Sequence, residues 1–458
     1  MPKIPTSRIG RTARFGSTVA GQGMKWAGTN AANRVRSDDK ARAANEKRAM
    51  ETAEELVARL GQMKGAAMKL GQVLSTVDFD LIPESEREQF KDKLASLRDN
   101  APQVPFKGIE KVIKQDLGGK VSDHFTEFDE NAIAAASIGQ VYRATTNDGD
   151  DVAVKVQYPG VAEAVETDLR NMGMLAPLIK RLAPGLDAKA IMGELRERIG
   201  EELDYELEAQ HQRTVGRALR GHPDVLIPAV NTTLSTRRVL VTEFVSGTGF
   251  GTIKDGDEES RDRFAEIVYR FFYGLLTHSH LAAGDPHPGN YLLADDGRVC
   301  FLDFGLMRYI PEDYLDGERA LSKAAIDGDA EALHEGLATL GYLPDPAAFE
   351  PDRILEQIRA VGEWNLEPGF RRIDPEYVRQ MVEVSSSPRS PYFDQMRMQT
   401  IPPQALLLRR MEGMLLSVLG ELRAGADWGE IAREYYAGAS PSTPLGERDA
   451  AHWNAVRG

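Results

Sequence analysis

Two short acidic loops, joined through one apolar run, constrain this chain more than any other feature. The first is Gly284-Asp285-Pro286-His287-Pro288-Gly289-Asn290. The second is Asp303-Phe304-Gly305, fed by the strand-like Val299-Cys300-Phe301-Leu302. Asp285, Asn290 and Asp303 offer carboxylate and amide oxygens, the hard ligands that Mg²⁺ prefers. Phosphoryl transfer needs a carboxylate near the attacking oxygen and hard oxygens for Mg²⁺ bridging the phosphates. Asp285 is the candidate for the first task, and Asn290 and Asp303 for the second. A lone Asp-Phe-Gly is common in loops. The two loops in this order are far more specific.

The order Asp, four residues, Asn, then Asp-Phe-Gly resembles the catalytic and metal loops of protein kinases. Such a site also needs a lysine on a strand to hold the α/β-phosphates. Val152-Ala153-Val154-Lys155-Val156 has the alternation and β-branching of a strand, with Lys155 as its one cation. By itself that pattern reads more readily as an edge strand with a solvated lysine. One hairpin earlier, across the turn Asn147-Asp148-Gly149-Asp150, lies a loop rich in Ala rather than Gly, Ala132 to Ala144. Its candidate nucleotide contacts are Ala135, Ala136, Ser137, Gly139, Gln140 and Val141, with Ala153 from the lysine strand. Ala adds a methyl and restricts positive φ, so this loop should cradle nucleotide more tightly than a Gly-rich one. Val239 to Gly247 reads as a buried strand ending in a hinge, where backbone groups of Glu243 and Val245 could meet an adenine edge.

Two further motifs narrow the family. Lys69-Leu70-Gly71-Gln72 lies near the N-terminus, and Glu202-Leu203-Asp204, followed by Glu206 and Glu208, lies between the lysine strand and the hinge. With the Ala-rich loop and the two acidic loops, the chain closely resembles the UbiB/AarF family of atypical kinase-like ATPases, from about Glu51 to about Arg308. The resemblance implies an α+β, two-lobed protein-kinase-like fold with an N-terminal helical extension and a mainly α-helical large lobe. It implies that Lys155 holds the α/β-phosphates and pairs with a helix glutamate, here Glu208. Glu202 and Asp204 would meet the K-x-G-Q segment, and Lys69 and Gln72 would fold over the cleft from the extension. Asp285 matches the catalytic aspartate, and Asn290 and Asp303 the metal ligands. The implied cofactors are ATP or ADP and Mg²⁺. Read from the residues alone, Lys69 sits on an amphipathic helix as an ordinary solvated charge, and the acidic run at Glu202 is an exposed helix face.

The net charge of −14 argues against general nucleic-acid binding. One cysteine, Cys300, excludes a disulfide within the chain and fits a reducing compartment. No stretch reaches the roughly 18 to 20 apolar residues that span a bilayer; the nearest, Ile267 to Leu276, is interrupted by Arg270. The expected location is the cytoplasm. The first 45 residues are basic, with Phe15, Val19, Met24 and Trp26 interspersed. They read equally as a loose tail or as a peripheral contact at the inner face of the membrane.

The expected organisation is a basic arm (1–45), a helical extension with the K-x-G-Q (46–105), a small lobe with a helical insert (106–245), a large lobe (246–437) and a tail (438–458). No Ala-Pro-Glu segment follows Asp303 to anchor a peptide-binding loop. The resemblance therefore implies a Mg-ATP-dependent atypical kinase or ATPase serving isoprenoid-quinone or lipid metabolism, with a lipid or quinone precursor as partner. The alternative is a nucleotide-gated module that binds lipid or a partner with negligible turnover.

Overall fold

A computed structural model of the chain describes residues 104–136, 138–173, 200–387 and 389–457, with scattered positions between 25 and 52. Lys69, Gln72 and Ser137 lie outside the described residues. The chain divides into two compact units, one of 1–207 and 231–242, the other of 208–230 and 243–458.

The first unit is built on one sheet. Its strands run Phe125–Phe128, Gly139–Thr146, Asp151–Gln157 and Val239–Glu243 in spatial order, with Ala134–Ala135 also pairing Gly139–Thr146. Gly139–Thr146 and Asp151–Gln157 form an antiparallel hairpin that sets Val141 opposite Lys155. Gly149 in the turn has φ +91°, a left-handed conformation that suits glycine. Strand side chains alternate between faces. Tyr142, Val152, Val154 and Val156 fall on one face, against Ile109, Val112 and Ile113 of the helix Phe106–Leu117. Those three recur at helical spacing, and Pro105 stands where the helix begins.

The Ala-rich loop opens on a strand. Ala134–Ala135 is a short strand in register with Val141 and Gln140. Local composition favours helix, but the hairpin offers a free edge for pairing, and that tertiary partner decides.

The second unit is mainly helical. Its centre is the helix Glu258–Ser279, capped by Asp257, with every residue from Phe264 to Thr277 buried. Arg270, the charge that interrupts the apolar run, is buried too. It is held by Glu266, Glu434, Tyr435 and Thr443. The helices Pro403–Leu422, Trp428–Tyr436 and Pro444–Arg457 contribute to the same core, through residues such as Met411, Trp428 and Trp453. A separate cluster joins the helices Glu312–Asp327, Ala330–Thr339 and Pro351–Leu366 around Leu333 and Ile354.

Two elements differ from the sequence reading. Val225–Leu226, grouped with the small lobe, lies parallel to Val299–Cys300 in the second unit. A two-residue strand carries no periodicity, so a partner distant in sequence decides its place. Residues 438–458, read as a tail, carry the helix Pro444–Arg457, whose Trp453 is buried. The Pro and Ser residues that suggested a tail precede the helix rather than fill it. No described helix is long and apolar enough to cross a membrane.

Candidate active site

Two antiparallel ribbons hold the acidic loops in the second unit. The strand Leu281–Ala283, before Asp285, pairs with Met307–Tyr309, after Gly305. The strand Tyr291–Ala294, after Asn290, pairs with Val299–Phe301, before Asp303. Gly284 N donates to Leu306 O at 2.9 Å, and Leu302 N to Asn290 O at 3.0 Å. Each loop is thus tied to the other at both ends by backbone.

Inside the first loop, Pro288–Asn290 is a 3₁₀ turn. His287 accepts from Gly289 N through Nδ1 at 3.1 Å, which places the proton of a neutral ring on Nε2. Asn290 Nδ2 donates to Asp285 O at 3.2 Å, which ties the amide back to the start of the loop. Asp303 Oδ1 accepts from Gly305 N at 2.9 Å. Asp285, Asn290 and Asp303 line one cavity of about 10 Å³, with Phe271, Phe272, Ala283, Tyr291, Phe301 and Leu306. About this volume holds a single water-sized body.

Two carboxylates and an amide around so small a space fit a hard divalent cation, which keeps several ligands from phosphate and water. Tyr291 supports the fit. Its hydroxyl is buried at this cavity and has no hydrogen-bond partner among the described residues. Burial, and then the Asp285 charge, raises that hydroxyl well above its ordinary range, so Tyr291 stays neutral. Cys300, on the same ribbon, is buried, and burial pushes its thiol up to about 12. It is a packing residue without thiolate chemistry.

Two residues that the sequence reading passed over brace these loops. His211, on the helix Tyr205–Ala218, donates from Nδ1 to the Phe304 carbonyl at 3.0 Å. It follows Glu208 by three positions, so both fall on one helix face. Glu208 is buried, and its Oε2 lies 4.0 Å from where a Cβ on Gly305 would stand. Spacing from Glu208 is the signal that could have found His211. Arg410, on Pro403–Leu422, donates from Nε to Gly284 O at 2.9 Å and from Nη2 to Asp285 Oδ1 at 3.2 Å. At 125 positions from Asp285, it left no local signal.

In the first unit, Val141, Ala153 and Lys155 share one sheet face by alternation. Lys155 Nζ lies 5.0 Å from the centroid of the Tyr205 ring. Gln140 departs from this grouping. It is buried on the opposite face, and its Oε1 accepts from Val104 N at 2.8 Å. Its amide therefore fastens the chain ahead of Phe106, and the alternation that places Lys155 excludes Gln140 from the same face. Gly139 is glycine for close packing. A Cβ there would stand 2.4 Å from Val156 O and 2.8 Å from the Tyr205 hydroxyl. Ala135 is exposed, and Ala136 N donates to Gly139 O at 2.8 Å.

Asp204 caps the helix that begins at Tyr205, accepting from Glu206 N and Leu207 N at 3.1 and 3.3 Å. Its other oxygen lies 3.6 Å from Arg237. Glu202 is half-buried one turn earlier. Glu243 N donates to Ala229 O at 2.7 Å, so that N–H is engaged within the protein; Val245 is half-buried just beyond.

The ABC1 atypical kinase-like domain matches residues 96–337. The chain is 30% identical over 371 residues to "Atypical kinase coq-8, mitochondrial" of Caenorhabditis elegans, covering 79% of this chain and 48% of that one. It is 31% identical over 365 residues to "Atypical kinase COQ8B, mitochondrial" of Rattus norvegicus, covering 79% and 68%. The chain thus spans about half the length of the worm relative. The solved complex of Rv3197 with erythromycin from Mycobacterium tuberculosis superposes with a TM-score of 0.62 at 28% identity, over 87% of this chain and 98% of that one. Ordered loops, lysine strand and matched domain agree: the chain belongs to the UbiB/AarF family of atypical kinase-like proteins, with the kinase-like fold of its ABC1 domain.

Proposed function

We propose that this chain binds Mg-ATP and acts as an atypical kinase or ATPase of UbiB type, supporting isoprenoid-quinone or lipid metabolism rather than phosphorylating proteins. The observation that carries this reading is the convergence of Asp285, Asn290 and Asp303 on one small cavity. Asn290 and Asp303 hold Mg²⁺, which when bound neutralises the phosphate charge that builds during transfer. Asp285 orients the attacking oxygen and takes its proton. Lys155 holds the α/β-phosphates, and the Ala134–Gly139 loop covers them. Glu208 and His211 keep the Asp303 loop in place. Lys69 and Gln72 belong to the same reading as groups of the extension. The basic arm of residues 1–45 supplies peripheral contact with a membrane.

The test is incubation of the purified protein with γ-labelled Mg-ATP, with and without anionic liposomes and a lipid extract, beside Asp303→Asn. Label released as phosphate, or carried to a lipid-soluble product, only by the parent protein is the expected result. Label that stays on ATP in every condition, despite measured nucleotide binding, would replace this reading with a nucleotide-gated binding module.

A further inference from the structure

Asp285 stands at a corner where the chain leaves the strand Leu281–Ala283 for an irregular loop. No secondary structure fixes its side chain. Backbone contacts fix its main chain: His287 N donates to Asp285 O at 2.7 Å, and Asn290 Nδ2 to the same oxygen at 3.2 Å. The carboxylate itself is met by Arg410, whose guanidinium spans the corner and takes Gly284 O and Asp285 Oδ1 together.

Arg410 is well placed to act as a rigid fork. One turn back on its helix, Leu407 packs so tightly on Gly284 that a Cβ there would lie 2.1 Å from Leu407 Cδ1. Its neighbour Arg409 is anchored to Glu318 and Glu412. The helix is therefore keyed to the loop by packing and held from behind by an ion-pair network. The side chains of Arg410 and Asp285 keep 21% and 22% of their exposure. An ion pair at that exposure adds little to stability. A planar fork that fixes a carboxylate and a backbone carbonyl at once adds orientation instead.

We propose that Arg410 is the positioning residue for Asp285, holding one carboxylate oxygen so that the group keeps its aim at the attacking oxygen. Arg410 lies beyond residues 96–337, so the brace comes from outside the matched domain. The inference rests on the reading of Asp285 as the residue that takes the proton.

The experiment uses the full chain and three variants, Arg410→Ala, Arg410→Gln and Arg410→Lys, beside Asp303→Asn. Phosphate release, KM for Mg-ATP, equilibrium Mg-ATP binding and melting temperature without nucleotide are measured for each. Arg410→Ala and Arg410→Gln should lower kcat by about 10- to 100-fold, the range typical of outer partners that orient a functional group, with KM and binding nearly unchanged. Arg410→Lys keeps the charge but loses the fork, and should recover part of kcat. Should Arg410→Ala fail to fold, Arg410→Gln carries the comparison. Unchanged kcat overturns the proposal. So does a loss of Mg-ATP affinity that parallels a loss of melting temperature, which marks a structural role. A rise in kcat also overturns it, because Arg410 would then be a brake. A parent protein that binds nucleotide without turnover sinks the enzymatic reading and this inference with it. A parent protein whose turnover fails in Asp303→Asn but survives in Arg410→Ala sinks this inference alone.

Discussion

Phe271 stacks on Phe301 with ring centroids 3.6 Å apart and planes 11° from parallel. Phe271 belongs to the buried helix Glu258–Ser279, and Phe301 ends the ribbon strand two positions before Asp303. Phe272 and Tyr291 close on the same ring, with centroids at 6.2 and 5.5 Å. The helix therefore positions the Asp303 loop through one aromatic cluster. Phe301→Ala should destabilise the protein by about 3 to 5 kcal/mol, the usual range for a buried phenylalanine truncated to alanine. A urea titration checks this; a shift within error of the parent protein would show that the stack is dispensable.

Gly284 meets Leu407 and Leu306 so closely that an added methyl must displace both. Gly284→Ala should cost about 1 to 3 kcal/mol of stability, as overpacking does, and should lower turnover because Asp285 is the next residue. Pairing it with Leu407→Ala should return part of both losses. A strictly additive double variant would deny the contact.

Lys155 shares a sheet face with Val141 and Ala153 and sits over the Tyr205 ring. Lys155→Ala should weaken Mg-ATP binding by about 10- to 100-fold, the equivalent of one charge-assisted contact. The nucleotide-induced rise in melting temperature should shrink accordingly. A rise as large as that of the parent protein would remove Lys155 from the site.

His452 joins the C-terminal helix to Ala218, donating from Nε2 to the Ala218 carbonyl at 2.9 Å. The His222 ring lies 4.7 Å away, and Asp449 accepts from His222 and Tyr435 beside it. Burial lowers His452 from its ordinary 6.5, and the neighbouring His222 adds to that, against the Ala218 bond and Asp449. The unfolded chain therefore binds the proton first as pH falls through 6.5, and stability rises with pH across that window. Urea midpoints should drop from pH 7.5 to pH 5.5 in the parent protein and drop less in His452→Gln. An equal drop in both would place the dependence elsewhere.

The candidate site was legible from the sequence because it rests on residue identity and short spacing. Asp285, Asn290 and Asp303 are separated by one turn and one β-hairpin, so local order brings them to one cavity. The hairpin of Lys155 and the long helix ahead of Asp285 were legible for the same reason: alternation and helical periodicity act over a few residues. What remained was decided over distance. Gln140 differs from Val141 only by one step of alternation, yet its partner at Val104 determines that it serves the core. Val225–Leu226 is too short to announce a sheet, and Val299–Cys300 chooses it. Arg410 reaches Asp285 across 125 positions, and Trp453 is buried beside Gly274 and His278 of the central helix. Such contacts follow from which surfaces are left to be covered once the core forms. No local pattern encodes that, so the sequence by itself determined the order and identity of the candidate groups, and the tertiary structure alone decided what packs around them.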